Sequence, residues 1–111
     1  MFKLFNRGPE SFTDLSPEEV HSRIRSGDRV QLVDVRSPGE FARGHIAKAK
    51  LIPLGDLEAR HSELKKGADI ILYCHSAARS RRGARLLAEL GYENVHNMSG
   101  GLVRWPYGVT Q

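Results

Sequence analysis

Asp69-Ile70-Ile71-Leu72-Tyr73-Cys74-His75-Ser76-Ala77-Ala78-Arg79-Ser80 is the stretch on which the fold turns. Its first five residues form the most apolar segment of the chain, too short for a helix and rich enough in β-formers to read as a buried central strand. Cys74 stands at the carboxyl end of that strand. Beyond the segment from His75 to Ser80, the apolar positions Ala84, Leu87, Ala88 and Leu90 return at helical spacing until Gly91 stops them. The stretch therefore reads as strand, tight loop, helix.

The same alternation continues outward in both directions. Ser16-Pro17-Glu18-Glu19 opens a helix: Ser16 can cap free N–H groups, proline fits the first turn, and Glu19 occupies the capping-box position. Val20 and Ile24 mark its buried face and Gly27 its end. Val30 to Val35 reads as a second buried strand. Ser37-Pro38-Gly39-Glu40 repeats the capping signal for a short helix through Arg43, closed by Gly44. Lys50 to Pro53 predicts a short strand, and Leu54, Leu57, His61 and Leu64 predict a helix before Gly67. After Gly91, a strand is expected near Asn94 to Asn97 and a last helix near Gly101 to Trp105.

Strands that alternate with helices imply an α/β fold with a mostly parallel sheet and helices on both faces. Sites in such folds form beyond the carboxyl ends of strands. Cys74 lies at one such end and Asp34-Val35-Arg36 at another, so the topology places them on one edge.

At 111 residues the chain fits one domain. The expected division is a flexible tail over residues 1–9 and a single domain over residues 10–111. Lys and Arg outnumber Asp and Glu by 17 to 13, a mild basic excess suited to small anions or an acidic partner. No basic block and few aromatics argue against nucleic acid. No apolar run reaches the ~18–20 residues of a membrane span, and the first residues lack a signal-peptide core. A single cysteine rules out an internal disulfide, and no Cys/His metal spacing is present. A soluble protein in a reducing cytoplasm is expected.

The chemistry concentrates in the loop after the central strand. Backbone N–H groups of a tight turn and of a helix N-terminus converge on one point, and Ser76, Ala77 and Ala78 are small enough to let them approach an anion. Arg79 adds a forked cation and Ser80 a hydroxyl. Cys74, at the base of such a cradle, is the candidate nucleophile. Alanine disfavours positive φ, so a cradle that needs it would be strained at Ala77 or Ala78.

These motifs, in this order, resemble a single-domain rhodanese. The resemblance rests on Leu32-Val33-Asp34-Val35-Arg36 with Glu40-Phe41, on Gly44-His45-Ile46 leading to Ile52-Pro53-Leu54, on the Cys74 to Ser80 loop, and on Gly91-Tyr92 followed by Gly100-Gly101 and Trp105. It runs from Phe12 to Trp105. It implies a rhodanese-like sheet of about five mostly parallel strands flanked by helices, and a thiosulfate sulfurtransferase in which Cys74 cycles between thiolate and persulfide. A small anionic donor such as thiosulfate would give sulfur to Cys74. Cyanide, a thiol or a thioredoxin-like protein would remove it, with no metal or organic cofactor. The loop residues His75, Ser76, Ala77, Ala78, Arg79 and Ser80 would hold the donor.

In the related phosphatases and arsenate reductases the loop is one residue longer, which disfavours phosphatase chemistry here. Asp34 and Arg36 read as an ion pair bracing the loops, His45 as a backbone-bonding residue, and Trp105 with Gly100-Gly101 as packing and turn geometry. Arg81, Arg82 and Arg85 read either as a solvated helix face or as a docking patch. A sulfur-relay or sulfur-sensing module acting with a protein partner is the alternative to a free enzyme.

Overall fold

The computed structural model describes residues 12–27 and 29–111, so the tail expected over residues 1–9 lies outside the described residues. Five strands, β1 (Thr13–Leu15), β2 (Val30–Asp34), β3 (Lys50–Leu51), β4 (Asp69–Tyr73) and β5 (Val95–Met98), form one sheet in the order β1-β5-β4-β2-β3. Every pairing is parallel. The central position of β4 follows from its composition, because only a strand covered on both faces can bury an unbroken apolar run.

Side-chain alternation along β4 divides the core in two. Ile70, Leu72 and Cys74 point to one side, where they meet Leu57 of α3 (Leu54–Arg60) and Ala84 and Leu87 of α4 (Ala78–Glu89). Ile71 and Tyr73 point to the other, where they join Leu32, Met98 and Val20 of α1 (Pro17–Arg25). Helices therefore cover both faces, as the alternation implied. No helix among the described residues is long and apolar enough to cross a membrane.

Both capping signals are realised. Ser16 accepts from the Glu19 N–H at 3.0 Å while Glu19 accepts from the Ser16 N–H at 2.8 Å. Ser37 and Glu40 repeat the exchange at the start of α2 (Pro38–Arg43). Four elements differ from the sequence reading. β1 gave no periodic signal, since its three residues form an edge strand held by register with His96 to Met98. β3 is shorter than expected, Lys50–Leu51, because Pro53 has no N–H to extend the ladder, although the Ile52 and Leu54 N–H groups still reach the carbonyls of Asp34 and Val35. The helix expected through Leu64 ends at Arg60 and tightens into a 3-10 turn at His61–Glu63. The last helix is a single 3-10 turn, Leu102–Arg104.

Close approach of α4 to the sheet depends on Gly83. A Cβ there would stand 2.9 Å from Leu72 Cδ2 and 3.1 Å from Leu57 Cδ2. Gly83→Val should lower stability by about 2 kcal/mol through overpacking, read from urea unfolding. An unchanged midpoint would show that the helix does not sit this close.

Candidate active site

The carboxyl end of β4 delivers Cys74 to the point where α4 begins. Its Sγ accepts the Ala77 N–H at 3.1 Å and the Ser80 N–H at 3.3 Å. These two donors and the positive end of the α4 dipole face one sulfur, an arrangement that favours negative charge on it. Cys74 is 1 % exposed, so little water competes for those N–H groups. The thiol also lies 3.4 Å from the Ser80 hydroxyl, which donates in turn to Oδ1 of buried Asn97. Asn97 Nδ2 donates to Asp14, and Arg81 closes the chain on the same carboxylate.

The loop is anchored from its far side by Gly101. The N–H groups of Leu102 and Val103 donate to the carbonyls of Cys74 and His75 at 2.8 and 3.1 Å. A side chain at Gly101, where φ is +70°, would collide with the His75 carbonyl oxygen. Gly101 is thus part of what shapes the cradle rather than a turn residue alone.

Arg79 does not point its fork freely at the loop. Its Nη1 and Nη2 donate to Glu40 Oε1 and Oε2 at 2.7 and 3.0 Å. The Arg79 hydrogen bonds, helped by the Ser37 N–H, hold the Glu40 carboxyl far below the usual range. Its contribution is therefore present above the ordinary glutamate titration and is lost only as pH falls well below it. Nothing in the sequence signalled this pairing across 39 positions, because Glu40 was already accounted for as a cap.

Asp34 and Arg36 form a buried fork, with Arg36 Nη2 to Asp34 Oδ2 at 2.6 Å and to the Gly44 carbonyl at 2.7 Å. That ties the ends of β2 and α2 together. His45 bonds the Phe41 carbonyl through Nδ1. His75 and Ser76 are exposed, and Ala78 is the first residue of α4. His75 borders a cavity of about 340 Å³ that Arg36, Glu40, Arg43, Leu102 and Val109 also line. Of Arg81, Arg82 and Arg85 on α4, Arg81 is committed to Asp14 and lies over the Phe12 ring at 5.1 Å.

The rhodanese-like domain model matches residues 16–106, most of the chain and the whole Cys74 to Ser80 loop. The chain belongs to the rhodanese-like domain family. It is 36% identical over 92 residues to a sulfurtransferase of Allochromatium vinosum, covering 83% of this chain and 86% of that one. With the Bacillus subtilis protein YqhL, named as uncharacterized, identity is 38% over 91 residues, covering 82% and 70%. A rhodanese-like domain protein from Staphylococcus aureus superposes with a TM-score of 0.83 at 27% identity, covering 89% and 97%.

In this rhodanese-like domain the strain anticipated in the loop falls on Ala77, which caps α4 with φ +89°. Ala77 is forced there because its N–H must turn back to Sγ while the chain enters the helix. Ala77→Gly should stabilise the fold by about 1 kcal/mol in urea unfolding, since glycine takes this conformation without a Cβ clash. A loss of stability would mean the loop holds no such strain.

Proposed function

We propose that the protein is a sulfurtransferase that carries a sulfane sulfur on Cys74 as a persulfide. The observation that carries this reading is the convergence of the Ala77 and Ser80 N–H groups on Cys74 Sγ at the start of α4. Sulfurtransferase-named relatives in the same family support it. The Cys74 thiolate attacks the outer sulfur of an anionic donor, with thiosulfate as the reference case. The donor S–S bond breaks, a new S–S bond forms on Cys74, and sulfite leaves with the electron pair. An acceptor thiolate or cyanide then attacks the outer sulfur of the persulfide, and the Cys74 thiolate is regenerated. The residues from His75 to Ser80 form the wall around that sulfur, and the backbone N–H groups stabilise charge in both half-reactions. No organic cofactor or metal is required by these steps. A thiol that must stay reduced between turnovers fits a cytoplasmic setting.

Relay to a protein partner, a thioredoxin-like thiol among them, is the second reading. A Bacillus subtilis relative named as a putative sulfur carrier protein, YrkF, is 33% identical over 95 residues, although this chain covers only 51% of it.

Intact mass decides the first reading. Incubation with thiosulfate should add one sulfur, cyanide should remove it, and Cys74→Ser should never show it. Absence of uptake from thiosulfate would leave persulfide donors and partner proteins as the route to test. Gly101→Ala should slow sulfur loading by about 10²-fold while circular dichroism stays unchanged, because the added Cβ displaces the backbone that carries the cradle. Loading at the parent rate would remove Gly101 from the machinery.

A further inference from the structure

We propose that the pocket between α1, the start of β2 and the turn before β3 binds a medium-chain carboxylate, with its chain against Ile24, Val30 and Leu32 and its head between Arg29 and Lys48. The pocket lies at the amino end of β2, whereas Cys74 follows the carboxyl end of the parallel strand β4. It is a second site, independent of sulfur transfer.

Lys48 is held where the backbone favours glycine. The Ala49 N–H donates to the Ile46 carbonyl at 3.1 Å, closing a turn in which Lys48, not Ala47, has positive φ, +73°. That pattern is a type II turn, whose third residue is ordinarily glycine or asparagine because a Cβ is crowded there. Strain of this kind collects at functional positions, where the side chain does something glycine could not. Nothing inside the fold rewards the lysine, since among the described residues it makes no ion pair.

What Lys48 borders is a pocket of about 340 Å³. Ile24 and Val30 are half-buried and Leu32 is buried, and all three continue the apolar cluster beneath α1, so the floor is apolar. Arg29 and Lys48 stand exposed at the edge, and among the described residues no carboxylate lines the pocket. Arg23, one residue before Ile24, is committed to Asp69, and together with Arg25 it meets the partial negative charge at the α1 carboxyl end. Arg29 and Lys48 are left to face a ligand. Two cations over an apolar floor fit an amphiphilic anion, whose chain is desolvated below while its head makes charge-assisted contacts above. The volume is at the low end of the ~300–1,000 Å³ typical of small-ligand sites, which suits one chain of medium length.

The test titrates the full chain with sodium octanoate, followed by amide NMR shifts and calorimetry. Saturable shifts should centre on the amides of Ile24, Val30, Leu32 and Lys48. Octanoate should bind about tenfold more tightly than hexanoate, at about threefold per buried methylene. Acetate, which lacks the chain, and 1-octanol, which lacks the charge, should each bind more weakly than octanoate by about fivefold or more. Lys48→Gly should weaken octanoate by about fivefold, the scale of one exposed charge contact, while raising the urea midpoint, because glycine takes this turn without strain. Lys48→Arg should keep the parent affinity. Cys74→Ser should bind octanoate as the parent does, which keeps this site separate from the sulfurtransferase reading whether or not sulfur loads. No saturable binding, shifts centred outside the pocket, or parent affinity in Lys48→Gly would overturn the proposal. So would a response to phosphatidylglycerol vesicles with none to free octanoate, which would give this face to a membrane surface.

Discussion

Everything at the site depends on one buried sulfur accepting two backbone N–H groups at a strand-to-helix turn. Backbone donors cannot be supplied one at a time. The chain must leave β4, reverse within a few residues and begin α4 close enough that the Ala77 and Ser80 N–H groups both reach Sγ. That requirement explains the left-handed Ala77, the small residues beside it and the glycine at position 83, which lets α4 lie against Leu72 and Leu57. It also explains why the loop is held from behind, through Leu102 and Val103 on the Cys74 and His75 carbonyls.

Around that sulfur, carboxylates and arginines form matched sets. Asp34 takes Arg36, Glu40 takes Arg79, and Asp14 takes Arg81. The first of these is buried, where removing either partner would strand a charge, so its role is to fix the β2 and α2 ends rather than to add net stability. Burial opposes the Arg36 charge, but the hydrogen bonds and the negative charge of Asp34 more than offset it and keep the guanidinium above its ordinary value. The other two pairs are more exposed and worth less in energy. Their effect is on direction: each fixes where an arginine points.

The layered architecture was legible because its signals are local. Apolar runs of strand length, two capping boxes with proline after the cap, and glycines at helix ends all act within a few residues. Cys74 at a strand end followed by small residues likewise marked the cradle. What stayed hidden acts across the chain. β1 has three residues and exists because β5 offers a register. The Glu40 to Arg79 fork joins positions with no sequence relation, and Glu40 already had a local explanation. Asn97 and Asp14 enter the site only once β1 and β5 lie side by side. Gly101 looked like a turn because its decisive neighbour, the His75 carbonyl, lies 26 positions back in a chain of known numbering.

The basic balance of the chain, with a sequence pI near 9.6, would suggest a site built on positive charge. Locally the opposite holds, since the arginines nearest the loop are paired and the sulfur faces neutral dipoles. For the sulfur carrier proposed above this would be a kinetic advantage. A strong fixed cation would stabilise the loaded persulfide as well as the reaction that forms it, and binding an intermediate more tightly does nothing for the step that must release it. The Ala77 and Ser80 N–H groups converge on Sγ itself, so their stabilisation is strongest when charge lies on that atom, as in the free thiolate that the proposed acceptor step would regenerate.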